Sequence, residues 1–294
     1  MGRTLLAGLA AVTILGALVG LHAWSGHRMH DVATPAGLEV PEGGVTLPMH
    51  QLGGRPLVEV TIHGKGPYRF LLDTAASCSV IDPALQKELA LPAGSVEAST
   101  PSGASVPLVT VDELRMGAVR LSGLAAVVMP VAQLFPAEPR PQGVLTALAF
   151  PGHLVTFDYP GAKIVLAKGE LPAGDPRHTF AYDGLPQVPI EIAGQEVRVD
   201  LDTGADLGLT LPRRYLATLP LASTPVPSGK TRTPTAEAAL VAAKVQGPIK
   251  LGAHTLDLDA VRFGDVKPGT VGYAALRGFV VTLDSKNRRV RLVR

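Results

Sequence analysis

Apolar Val58, Val60 and Ile62 alternate with Glu59, Thr61 and His63, the period of a half-buried strand. Gly64-Lys65-Gly66-Pro67 supplies a turn, and Tyr68 to Leu72 predicts a second strand running into Asp73-Thr74-Ala75-Ala76. Asp82-Pro83 offers an N-cap followed by proline at the first helical position, so a short helix is expected through Ala90, stopped near Pro92. The same order then returns. Val188, Ile190 and Ile192 alternate, Ala193-Gly194-Gln195 turns, and Val197 to Leu201 leads into Asp202-Thr203-Gly204-Ala205. Thr210-Leu211-Pro212 opens a second short helix expected to end at Leu219-Pro220. Asp202 follows Asp73 by 129 residues, and Pro212 follows Pro83 by the same interval.

The ends of the two stretches match as well. Leu154 to Tyr159 followed by Lys163 to Leu166 parallels Val280 to Ser285 followed by Arg289 to Leu292, and both read as closing hairpins. A duplicated β-rich unit explains this better than two unrelated domains, and two copies are too few for a solenoid. The expected architecture is therefore all-β, with two pseudo-symmetric lobes and a few short helices. Residues 44–170 form the first lobe and 171–294 the second, with Lys168 to Tyr182 as the connection.

Ahead of the lobes, Leu5 to Leu21 is an apolar run without charge, and its extension to Trp24 gives about the ~20 residues that cross a bilayer. A cleaved signal peptide is the competing reading. Leu21 two residues before Ala23 fits its small-residue cleavage rule poorly, and an uncleaved membrane anchor over residues 5–24 is favoured. With Arg3 inside, either reading places the lobes outside the cytoplasm, in the cell envelope. Residues 25–43, rich in Gly, Pro and His, read as a linker.

Composition narrows the function classes. Of 294 residues 46% are apolar and 18% charged, with a net charge of +2, which speaks against a disordered chain and a nucleic-acid binder working through a basic field. The single cysteine, Cys78, has no partner for an internal disulfide, and a packed, unreactive thiol is expected. The histidines show no zinc-hydrolase spacing, Gly103-Ala104-Ser105-Val106-Pro107 fails the serine-hydrolase elbow, and no phosphate or dinucleotide loop occurs. Asp200, Asp202 and Asp206 lack the remaining ligands of a calcium loop. No metal or cofactor is expected.

An aspartate directly after an apolar strand is costly to bury unless its charge is held. Two of them at equivalent places in a duplicated chain suggest a pair facing each other across a pseudo-two-fold axis. Such carboxylates do not both ionise easily; they share a proton and titrate together. The ionised member takes a proton from a water between them while the protonated member donates to a carbonyl oxygen, which is the chemistry of amide hydrolysis without a covalent intermediate.

At Phe70-Leu71-Leu72-Asp73-Thr74-Ala75-Ala76-Ser77 and Val199-Asp200-Leu201-Asp202-Thr203-Gly204-Ala205-Asp206 the sequence resembles the pepsin/retropepsin clan of aspartic proteases, closest to bacterial retropepsin-like members with two lobes in one chain. The resemblance covers roughly Gly44 to Arg294. It implies a cleft between the lobes, Asp73 and Asp202 as the catalytic pair, and interlocking hydroxyl bonds from Thr74 and Thr203, with Ala75 and Gly204 supporting the dyad. Ala76 and Ala205 match the retropepsin alanine. Asp206 matches an acid that binds substrate main chain, with Ser77 at that place in the first lobe. Flap hairpins would lie at Thr100-Pro101-Ser102-Gly103 and Pro227-Ser228-Gly229-Lys230, making Ser102, Gly103, Ser228 and Gly229 substrate-contacting residues.

Two positions depart from the family pattern. Ala75 stands where glycine is usual, and Gly143-Val144-Leu145-Thr146 ends in threonine where the second lobe has Thr270-Val271-Gly272. Glycine at such sites serves unusual backbone angles or a close approach. The resemblance implies a monomeric aspartic endopeptidase acting on extended polypeptides at mildly acidic to near-neutral pH. Ala75 and Thr146 support the alternative of a peptide- or protein-binding module that does not cut, and a structural envelope protein is a third reading.

Overall fold

The structure, a computed structural model, describes residues 33–92, 97–99, 105–131, 134–135, 140–232 and 237–294. The proposed membrane helix at residues 5–24 lies outside them, and no helix among the described residues is long and apolar enough to cross a membrane.

The first half of the chain supplies β1 (Gly37–Glu39), β2 (Val45–Pro48), β3 (His50–Leu52), β4 (Arg55–Ile62), β5 (Lys65–Asp73), β6 (Ser79–Ile81), helix α1 (Pro83–Leu89), β7 (Glu97–Ser99), β8 (Ser105–Val111), β9 (Leu114–Met116), β10 (Val119–Ser122), β11 (Leu124–Val128), β12 (Gly143–Thr146), β13 (His153–Asp158) and β14 (Lys163–Lys168). The second half supplies β15 (Thr179–Ala181), β16 (Gln187–Ile192), β17 (Gln195–Leu201), β18 (Leu209–Pro212), β19 (Val226–Arg232), β20 (Glu237–Ala243), β21 (Ile249–Leu251), β22 (His254–Leu256), β23 (Val261–Gly264), β24 (Gly269–Val271), helix α2 (Tyr273–Leu276), β25 (Val280–Asp284) and β26 (Arg289–Val293).

Two sheets repeat one topology. The first runs β10-β9-β4-β5-β12-β6-β11-β8-β7, with β1 added beside β10 and β3 beside β4. The second runs β22-β21-β16-β17-β24-β18-β23-β20-β19, the same order strand for strand. A third sheet, β2-β14-β13-β25-β26-β15, draws three strands from each half. At its middle β13 lies antiparallel to β25 with Thr156 opposite Thr282, and their hydroxyls are 3.1 Å apart. The closing hairpins seen in the sequence thus join the halves. A single apolar cluster runs through both, including Leu72, Val155, Phe157, Val199, Leu201, Phe279 and Val281. A smaller cluster around Leu57, Leu71, Val80, Val144 and Phe135 belongs to the first half alone.

The hairpin turns fall at His63-Gly64 and Ala193-Gly194, with φ of 50° and 75° in one and 50° and 83° in the other, the positive pair of a two-residue loop matched to strand twist. Gly64 to Pro67 is therefore not one turn. Gly66 and Pro67 sit inside β5 as a bulge, where two residues face Thr61 between the pairs Val60–Tyr68 and Ile62–Lys65. That bulge is the extra residue that separates the turns by one more position than the aspartates. Helix α1 forms as expected, with Asp82 accepting from the Ala84 N–H at 3.0 Å. Its expected counterpart is instead strand β18 followed by a 3-10 turn at Arg213–Ala217, because Pro212 at the cap position offers no side-chain acceptor. The linker region is also partly ordered: Gly37–Glu39 pairs with Arg120–Ser122 as an edge strand.

Candidate active site

Asp73 is the last residue of β5, and Asp202 follows the last residue of β17. Each strand is flanked by a parallel neighbour, β12 with Thr146 opposite Asp73 and β24 with Val271 opposite Leu201. Both carboxylates are fully buried. The threonines that follow them lock the halves together. The Thr74 N–H donates to Thr203 Oγ1 at 3.1 Å and the Thr203 N–H donates to Thr74 Oγ1 at 3.1 Å. Thr74 Oγ1 donates to the Leu201 carbonyl at 2.5 Å, and Thr203 Oγ1 to the Leu72 carbonyl at 2.8 Å. Each hydroxyl thereby satisfies one buried donor and one buried acceptor of the opposite half.

This cross-bracing brings the aspartates to one small space. A methyl group placed on Gly204 would sit 2.6 Å from Asp73 Oδ2 and 3.1 Å from Asp202 Oδ1. Burial pushes the Asp73 carboxyl up to about 7, against the pull of the Ala75, Ala76 and Gly204 N–H groups and of Arg55. Asp202 is raised well above the ordinary carboxylate range by burial, then by Asp73 and Asp200. Their surroundings differ. Asp73 Oδ1 accepts from the Ala75 N–H at 2.8 Å, whereas neither oxygen of Asp202 makes a hydrogen bond of good geometry. Such a pair can hold one proton between two carboxylates, with one member a base and the other an acid.

Gly204 and Gly272 are required for close approach and not for backbone angle, since neither has a positive φ. A Cβ on Gly272 would lie 2.6 Å from the Leu207 carbonyl and 2.7 Å from Ala205 Cβ. At the equivalent place in the first half Thr146 is fully buried and fits: its hydroxyl donates to the Ala76 carbonyl at 2.6 Å and accepts from the Leu148 N–H at 3.2 Å, capping the 3-10 turn Ala147–Ala149. Ala75 is likewise accommodated, fully buried and outside the left-handed region.

Arg55 is the site residue that sequence reasoning missed. It opens β4, is buried, and reaches across to the second half, where its Nε donates to the Gly204 carbonyl at 2.8 Å and its Nη2 pairs with Asp206 at 2.9 Å. Phe135 covers the guanidinium, 5.5 Å from the ring centre. The one available signal was a charge at the start of a strand whose core-facing positions are apolar, because the second half has Leu185 there and no repeat marks the position. Asp206 is thus engaged with Arg55, and Ser77 is buried beside the first motif. Ser228 and Gly229 lie at a bulge inside β19, before its end at Arg232, and Ser102 and Gly103 lie outside the described residues. Cys78 is buried, with its thiol pushed up to about 12 by desolvation, so it is no nucleophile.

Residues 58–147 match the family model described as an aspartyl protease. The matched span contains Asp73, Ala75 and Thr146 and ends before Asp202; it supports a protease-type hydrolase function in general terms. A search of curated proteins finds no match to the chain.

Proposed function

We propose that the protein is a single-chain, two-lobed aspartic endopeptidase of retropepsin-like character, with Asp73 and Asp202 as its catalytic dyad. The observation that carries this reading is the convergence of two buried carboxylates, one from each half, on a space that excludes even a methyl group at Gly204. A water held between them would lose a proton to the ionised carboxylate and add to the peptide carbonyl carbon, while the protonated carboxyl gives its proton to the carbonyl oxygen. Collapse of the tetrahedral diol then breaks the C–N bond, with the proton held by the first carboxylate going to the leaving amine and a diol hydroxyl returning its proton to the second carboxylate. Pre-set burial and the rigid threonine braces keep the pair in place without rearrangement. Both half-sites come from one chain, so a monomer suffices. The apolar run Leu5 to Leu21 supports attachment to a membrane with the lobes outside the cytoplasm.

The test is incubation of the protein and its Asp202→Asn variant with a diverse peptide library between pH 3 and 8, reading new termini by mass spectrometry. Cleavage by the wild type and its loss by a factor of at least ~100 in the variant is expected. A folded wild type that cuts nothing across this range sinks the protease reading and leaves a peptide-binding module.

A further inference from the structure

On the face of each sheet turned away from the shared core, one row of side chains crosses five strands. In the first half the row is Leu57, Leu71, Val144, Val80 and Val127, from β4, β5, β12, β6 and β11. It is apolar throughout and packs in that half's own cluster. Strand for strand, the second half has Gln187, Asp200, Thr270, Thr210 and Arg262, from β16, β17, β24, β18 and β23. The duplicated fold puts a carboxylate where its twin has Leu71. Asp200 is only 2% exposed, and its Oδ1 accepts from Gln187 Nε2 at 2.9 Å. A structural role alone would be met by leucine at no desolvation cost.

Asp200 lies two residues before Asp202, about 7 Å along the extended chain, and its charge acts on that carboxylate. We propose that Asp200 is a positioning residue for the dyad: its charge holds the shared proton on Asp202 and leaves Asp73 as the base that activates water. The inference rests on the dyad reading above. The hydrogen bonding of the pair points the same way, since the Ala75, Ala76 and Gly204 N–H groups all favour the Asp73 anion whereas Gly204 alone does so for Asp202. Burial raises Asp200 itself to about 6, so it is charged at neutral pH.

The other groups around it do not reverse the bias. Gln187 from β16 and Thr270 from β24 are uncharged neighbours, and Thr210 from β18 lies beyond Thr270. Arg262 in β23 is three strands away, roughly 14 Å. Arg55 acts on both dyad members, and Tyr159, whose phenol is pushed far up by burial, stays neutral.

The experiment is a carboxyl carbon-13 NMR titration of the full chain from pH 4 to 9, with signals assigned through Asp73→Asn and Asp202→Asn. In the wild type, Asp202 is expected to keep its protonated signal at pH values where Asp73 has ionised. Asp200→Asn, which retains an acceptor for Gln187, and Asp200→Leu, which copies Leu71, should each lower the Asp202 midpoint by about one pH unit and move Asp73 less. An unchanged Asp202 midpoint in either folded variant, or a wild type with its proton on Asp73, overturns the assignment. If neither variant folds, the wild-type titration decides by itself. Peptide turnover is read separately, so an enzyme with the expected titration and no cleavage keeps this assignment while the protease reading fails.

Discussion

Arg55 and Asp206 form an ion pair at 2.9 Å that links the start of β4 in one half to the loop after the second aspartate motif. The same guanidinium binds the Gly204 carbonyl, so one side chain fixes the loop that touches both aspartate carboxylates. Arg55→Ala leaves Asp206 and the Gly204 carbonyl without their partner in a largely buried place. The expected cost is about 3 kcal/mol in chemical denaturation, with loss of peptide turnover. Arg55→Lys should recover little of it, because an ammonium does not reproduce the fork that engages both acceptors.

The threonine braces should behave as a unit. Thr203→Val removes a hydroxyl that serves the Leu72 carbonyl and the Thr74 N–H, with an expected loss of about 2–4 kcal/mol measured by urea unfolding. Thr74→Val should cost a similar amount. The double variant should lose less than the two single losses combined, since the hydroxyls support each other across the halves.

The equivalent positions Gly272 and Thr146 should respond unequally to exchange. Gly272→Ala drives a Cβ into the Leu207 carbonyl and Ala205, where backbone leaves no room, and is expected to lower stability by about 3 kcal/mol or abolish folding. Thr146→Gly removes one hydroxyl bond and a cap, and should cost only about 1–2 kcal/mol. Equal losses in the two variants would contradict the packing described for them.

Stability should fall as pH rises toward neutrality. The Asp73 carboxyl lies near 7 in the folded protein, above its ordinary value of 3.8, so between these pH values the folded state keeps a proton that the unfolded chain has released. The stability tied to that proton is full below about 4 and lost as pH passes through 7. Thermal melts should therefore show a drop in Tm from pH 4 to 8, and Asp73→Asn should shrink that drop by several degrees.

Much of the fold was legible because period-2 patterning and turn chemistry are local. The β4–β5 and β16–β17 hairpins, the Asp82-capped helix and the closing hairpins all appear where alternation and cap residues place them. The errors also have local causes. Gly66-Pro67 reads as part of a turn in sequence and becomes a bulge, because the positive-φ pair His63-Gly64 just before it already reverses the chain. Pro212 starts no α-helix, because the residue that would cap one carries no acceptor.

By itself the sequence determined the duplication, the strand-borne aspartates at matched positions, and the paired threonines, since each is written as a repeated string of residues. It did not determine how the repeats meet. That Arg55 crosses to Asp206, and that Gly204 packs against both Asp73 and Asp202, follow only from the two halves being brought together. Hydrophobic burial sets each half's strands through contacts close along the chain, whereas the dyad's environment is made by groups more than a hundred residues apart. Tertiary packing alone decides the desolvation and charge they impose on one another.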